Sequence, residues 1–200
     1  MKFRLLLAAV ALAGLPVLPA RAQQQSDPAA DFGALMGMLN GAMQGTTNAS
    51  AGAPVVDFRE LKALLPADLP GFKRTGASGE KVSPLGMTSS SAEGRYEGEQ
   101  GSAIRVTITD RGGGGFATLM QAGWAMTEID RETDTGYERT LTISGHKAKE
   151  TYDSANHHGS TEILVAGRFM VEIVGDNVTA EALGAAVQKL DLAKLAALKK

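Results

Sequence analysis

The chain has three imidazoles, His146, His157 and His158, and two of them are adjacent. Zinc or copper needs three or four nitrogen, oxygen or sulfur donors converging on one point. Asp153 and Glu150 are near enough in sequence to join the histidine pair. Neighbouring side chains on a strand point to opposite faces, however. The stretch Asp153-Ser154-Ala155-Asn156-His157-His158-Gly159 also has the composition of a turn. His157, His158 and Asp153 are therefore the metal candidates, but an exposed loop is the favoured reading and no metal is expected. Ser144-Gly145-His146-Lys147 and Ser78-Gly79-Glu80-Lys81 both match S-x-x-K. That motif serves acyl transfer when a helix start places Lys one turn beyond a nucleophilic Ser. Here one copy falls in a hairpin and the other in a Gly-rich stretch, without S-D-N or K-T-G to accompany them.

Gly112-Gly113-Gly114-Gly115-Phe116-Ala117 follows a strand pattern and opens a helical one, matching G-x-G-x-x-A. Dinucleotide sites place that turn in a βαβ unit whose parallel strands are buried on both faces. The preceding Ala103–Asp110 instead alternates Ile104, Val106, Ile108 with Arg105, Thr107, Thr109, which predicts a half-exposed antiparallel strand. A flexible turn is expected there. Asp130-Arg131-Glu132-Thr133-Asp134-Thr135-Gly136 echoes a calcium loop. The Gly required at position 6 is Thr135, and the Glu required at position 12 is Leu141. A solvated acidic loop fits better. Met36, Met38 and Met43 are too sparse for a copper(I) array. No cysteine is present, which removes Cys-ligated metals, disulfides and Cys nucleophiles, and no G-x-S-x-G occurs. No catalytic residue, cofactor or enzymatic activity is expected.

The front of the chain carries an address. Met1-Lys2-Phe3-Arg4 is basic, Leu5 to Leu18 is apolar, and Ala20-Arg21-Ala22 supplies small residues before Gln23. This is the secretory pattern, with cleavage expected between Ala22 and Gln23 and a product that is periplasmic or secreted. The apolar run is shorter than the roughly 20 residues that span a bilayer, so no transmembrane segment is expected in the mature chain. Losing Lys2, Arg4 and Arg21 leaves 17 basic and 22 acidic residues, a net charge of −5. An acidic chain has no electrostatic case for phosphate backbones, so nucleic acid is excluded.

Residues 23–54 read as a low-complexity Gly/Ala/Met leader. Within it Phe32, Leu35, Met36, Leu39 and Met43 form one helical stripe, and Gly33, Gly37 and Gly41 have small-xxx-small spacing. Each Gly costs about 0.8–1 kcal/mol of helix propensity, so this segment would order only on docking. A leader that packs weakly on its own domain or stays disordered is the favoured reading; in the alternative, its five apolar residues are the candidate contacts for a protein partner or for weak self-association.

The elements that must position any site lie in 55–200. Asp57 reads as an N-cap with Glu60 three residues on, Val56 stapling against Leu61, and Pro66 stopping the helix. Lys73 to Ser83 is polar and Gly-rich without a clear period. Strands are expected at Ser89–Glu97 and Ala103–Asp110, and a helix at Phe116–Met126. Two hairpins follow, around Ser144-Gly145 and Gly167-Arg168. The second hairpin is the more apolar, which places it centrally in the sheet. Thr179 should cap a C-terminal helix that breaks at Asp191. The expectation is an α+β domain, a mostly antiparallel sheet with helices packed on one face.

Leu64-Leu65-Pro66 with Leu69-Pro70-Gly71-Phe72, and the terminal Leu190-Asp191-Leu192-Ala193-Lys194-Leu195, resemble a set of exported bacterial proteins sharing an L-L-P…P-G-[FW] opening. The element order is similar to the PsbP/Mog1-like fold group. Neither resemblance carries functional residues. The expected function is that of an exported, non-enzymatic accessory or binding domain, with a metal- or small-ligand-binding protein as the alternative and an enzyme of unknown class third.

Overall fold

The computed structural model describes residues 54–83, 88–112, 123–124 and 126–199. In order they form α1 (Phe58–Ala63), β1 (Asp68–Leu69), β2 (Phe72–Val82), β3 (Ser89–Glu97), a 3-10 turn (Glu99–Gly101), β4 (Ala103–Asp110), β5 (Asp130–Thr133), β6 (Gly136–Ile143), β7 (His146–Asp153), β8 (His158–Val165), β9 (Phe169–Asp176), α2 (Ala180–Val187) and α3 (Leu192–Ala197). All nine strands join one antiparallel sheet in the order β1-β2-β3-β4-β9-β8-β7-β6-β5. The sheet dominates the described residues and the three α-helices are short, so the expected antiparallel sheet is present with a smaller helical share than the composition implied.

Alternation determines which face is buried. Ile104, Val106 and Ile108 of β4 lie beside Val171 and Ile173 of β9 and Ile163 of β8, and all are at most 2% exposed. Leu61 of α1, Leu183 of α2 and Leu192 and Leu195 of α3 join the same cluster. α1, α2 and α3 therefore cover one face. Each fully buried aliphatic side chain contributes about 1.5–3 kcal/mol. The apolar β8–β9 hairpin is central, as its composition demanded.

Local chemistry explains where the helices sit. Asp57 Oδ1 accepts from Arg59 N at 2.8 Å and starts α1. Thr179 Oγ1 accepts from Ala182 N at 3.2 Å and starts α2, and Asp191 caps α3 at Lys194 N. Gly159 and Gly175 are cross-strand partners directly beneath α2. A methyl on Gly159 would sit 2.7 Å from Leu183 Cδ1, and one on Gly175 would collide with Val178 Cγ2. The two glycines thus form the seat for Leu183. Tyr96 donates to Pro66 O at 2.8 Å and Tyr152 to Val178 O at 3.0 Å, tying the sheet to the connections beside α1 and α2.

Two segments differ from the sequence expectation. Residues 72–82, read as aperiodic, form the long strand β2, exposed along most of its length. The acidic stretch beginning at Asp130 is not a free loop: Asp130–Thr133 is edge strand β5, and the turn is confined to Asp134-Thr135. Arg168 lies in the expected β8–β9 turn and is buried. Its Nε and NH2 donate to Asp110 Oδ1 and Oδ2 at 3.0 and 2.8 Å, and NH2 also donates to Pro54 O at 2.7 Å. Asp110 further accepts from Val56 N and Gly112 N. This latch joins the start of the described chain, the end of β4 and the β8–β9 turn. Most of the expected Phe116–Met126 helix lies outside the described residues, although Gly123, Trp124 and Met126 are helical.

Candidate functional site

With α1, α2 and α3 on one face, the opposite face, against which the helical residue Trp124 packs at Glu162, supplies the more accessible surface. Strand register arranges it in rows. Arg95, Arg105, Val174, Ser160 and Thr151 follow one another across β3, β4, β9, β8 and β7; Glu93, Thr107, Glu172, Glu162 and Lys149 form the next row. Beyond the arginines runs a row of Glu97, Ala103, Asp176, His158 and Asp153. The polar half of each strand's alternation produces this face.

Two recesses open on it. The smaller, about 100 Å³, is lined by Trp124, Thr127, Ile129, Thr140, Lys147 and Lys149. The Glu162 carboxylate organises its edge, accepting from Trp124 Nε1 at 3.2 Å and pairing with Lys149 Nζ at 3.4 Å. Ile129 N donates to Thr140 Oγ1 at 3.0 Å, holding the strand entrance to β5 against β6. The larger, about 380 Å³, is lined by Arg95, Tyr96, Glu97, Ala103, Ile104, Arg105 and Asp176. Arg95 Nε pairs with Glu93 Oε1 at 2.7 Å. Glu97 Oε1 lies 3.5 Å from Thr75 Oγ1, and Asp176 Oδ1 is 2.9 Å from His158 Nδ1. Small Ala103 between Glu97 and Asp176 leaves the depression. No sequence motif marks this site, because it arises from the pairing of β3 with β4.

The strongest acid–base cluster lies on the helix-side face, beyond the helices, and is structural in its bonding. Glu150 accepts from Tyr137 OH at 3.1 Å and from Arg139 Nε and NH2 at 3.0 and 2.8 Å. Burial, and then the Glu150 carboxylate, hold the Tyr137 phenol above its ordinary range. The hydrogen bond to Glu150 likewise raises Arg139.

The metal candidates are dispersed in their bonding. Asp153 is turned into its own turn, accepting from Ala155 N, Asn156 N and Asn156 Nδ2, and these bonds, the Asn156 side chain first, hold its carboxyl below the usual range. His157 is exposed in the turn with φ at 48°. His158 starts β8 and faces Asp176. Among the described residues no three His, Asp or Glu side chains group to hold a metal. Ser144 occupies a hairpin turn with φ at 49° while Lys147 lines the Trp124 recess; Ser78 and Lys81 lie on β2. Phe32, Leu35, Met36, Leu39, Met43, the Ala22–Gln23 junction and residues 113–117 lie outside the described residues. Among the described residues no helix is long and apolar enough to cross a membrane. Comparisons with protein-family models, curated proteins and solved structures found no match to this chain.

Proposed function

We propose that this chain is an exported, non-enzymatic accessory or binding domain that works through the sheet face opposite α1, α2 and α3. Residues 1–22 act as the secretory signal, cleaved before Gln23, and 23–54 as a leader joined to an α+β domain of the PsbP/Mog1-like kind in the periplasm or outside the cell. The observation that supports this reading is the division of the sheet into a packed face and an in-register polar face bearing two recesses. Binding sites are concave and place a few polar groups on a rigid scaffold, and a nine-stranded sheet is such a scaffold. The acid–base groups with the most organised surroundings, Glu150 and Asp110, are engaged in structural bonds, which supports binding over catalysis. The leader's apolar stripe, Phe32 to Met43, supplies a second contact for a protein partner or a second copy. The net charge of the mature chain argues against nucleic acid.

The test is native mass spectrometry of the protein recovered from the exported fraction of its own host, alongside a Thr107→Glu, Ser160→Arg variant of the polar face. The wild type should start at Gln23 and carry added mass that the variant lacks. A bare wild-type chain, or added mass unchanged in the variant, overturns the reading.

A further inference from the structure

The open face carries an arrangement that ordinary surface chemistry disfavours. Arg95 and Arg105 are direct cross-strand partners, and like charges placed opposite each other weaken a sheet. Both residues are exposed. Arg95 has Glu93 as counter-ion. The Arg105 side chain makes no hydrogen bond or ion pair with any described residue. The next row holds the opposite charge: Glu97 follows Arg95 by two residues on β3, and Asp176 stands in register with Ala103, two residues before Arg105 on β4. The four charged side chains line one recess of about 380 Å³ whose floor includes Ala103.

We propose that this recess binds a small zwitterion of dipeptide size, its carboxylate on Arg95 and Arg105 and its ammonium group on Glu97 and Asp176. Arginine is the residue suited to a carboxylate, since its planar fork matches the two oxygens. Spacing selects the length. Rows two residues apart on a strand are separated by about 6–7 Å, and an extended dipeptide separates its termini by the same two rises. A simple anion would satisfy the arginines but would face the two carboxylates. A simple cation would do the reverse. The Glu93 contact orients Arg95 and the His158 contact orients Asp176 before a ligand arrives, which reduces the ordering cost of binding. This inference rests on the reading of the polar face as a binding surface and names its ligand.

The experiment titrates the full mature chain with glycylglycine, followed by amide chemical shifts and by calorimetry. The comparison ligands are N-acetylglycylglycine, which lacks the ammonium group, and acetate. Shifts should centre on residues 95–97, 103–105 and 176, and glycylglycine should bind about tenfold more tightly than either comparison ligand. Arg105→Gln and Glu97→Gln should each weaken it by about tenfold, the equivalent of about 1.4 kcal/mol. Both residues are exposed, so their melting temperatures serve as the folding control. Equal binding of the acetylated dipeptide, shifts elsewhere, or no binding overturns the proposal. If glycylglycine fails while host-derived mass is still lost from the polar-face variant, the ligand assignment falls and the binding-domain reading stands.

Discussion

Arg168 lies at 5% side-chain exposure with Asp110 at zero, and the pair is bidentate. Replacing Arg168 by Met removes the cation but leaves a carboxylate shut away from water with only the Val56 and Gly112 amides as donors. It also strips Pro54 O of its donor. Breaking a buried pair from one side costs about 3–5 kcal/mol, because a buried charge is left uncompensated. Set against a domain stability of about 5–15 kcal/mol, this removes about a fifth of the total or more. With about 2–4 °C per kcal/mol for chains of this size, the melting temperature should fall by about 6–20 °C. Urea unfolding of Arg168→Met, Asp110→Leu and the double variant measures the effect, with an unchanged slope confirming that only stability moved. The double variant should lose markedly less than the sum of the singles, since no charge is stranded. A loss below about 1 kcal/mol for Arg168→Met, or strict additivity, would refute the argument.

Gly175→Ala should destabilise by about 1–3 kcal/mol, because its methyl would enter the space held by Val178 and Leu183; unchanged denaturant midpoints would show that α2 is not seated tightly there. Acidification supplies another test. The Asp153 carboxyl is held low chiefly by the Asn156 side chain, so its contribution is complete above the ordinary carboxylate value and is lost as pH falls through the lowered one, below about pH 4. Asp153→Asn should flatten the stability profile in that window alone, and a profile that keeps the wild-type slope would contradict the assignment.

The strands that bury one face were legible in the sequence, and those that bury neither were not. Ile104, Val106 and Ile108 alternate because one side of β4 faces the helices, and the Ser144-Gly145 turn has positive φ at both positions, as its residue types suggested. β2 and β5 lie at or next to opposite edges of the sheet, and β5 is exposed at all four residues. With both faces of β5 exposed and little of β2 hidden beyond Phe72, no two-residue period is imposed on them, and composition alone reads as loop. The turn at Arg168 was legible, but its burial was not, for a different reason. Its burial comes from Asp110 and Pro54, which are 58 and 114 residues away along the chain. The Arg95–Arg105 pairing is hidden in the same way, since register is a property of two strands together.

The strand order has a consequence for assembly of the molecule. β1 to β4 and β5 to β9 each pair in succession, so every contact within either run joins chain neighbours, and only β4 against β9 requires distant segments to meet. That seam has eight residue pairs in register and ends beside the Asp110–Arg168 latch. Local hairpins close quickly, whereas the seam must overcome the entropy of a long loop. The protein is thus two meanders stitched along one line, and a backbone cut between β4 and β5 would leave each half with all of its own hairpins. Reassembly of the pieces would then be a recognition event between two strands, with the buried ion pair as the feature that sets their register.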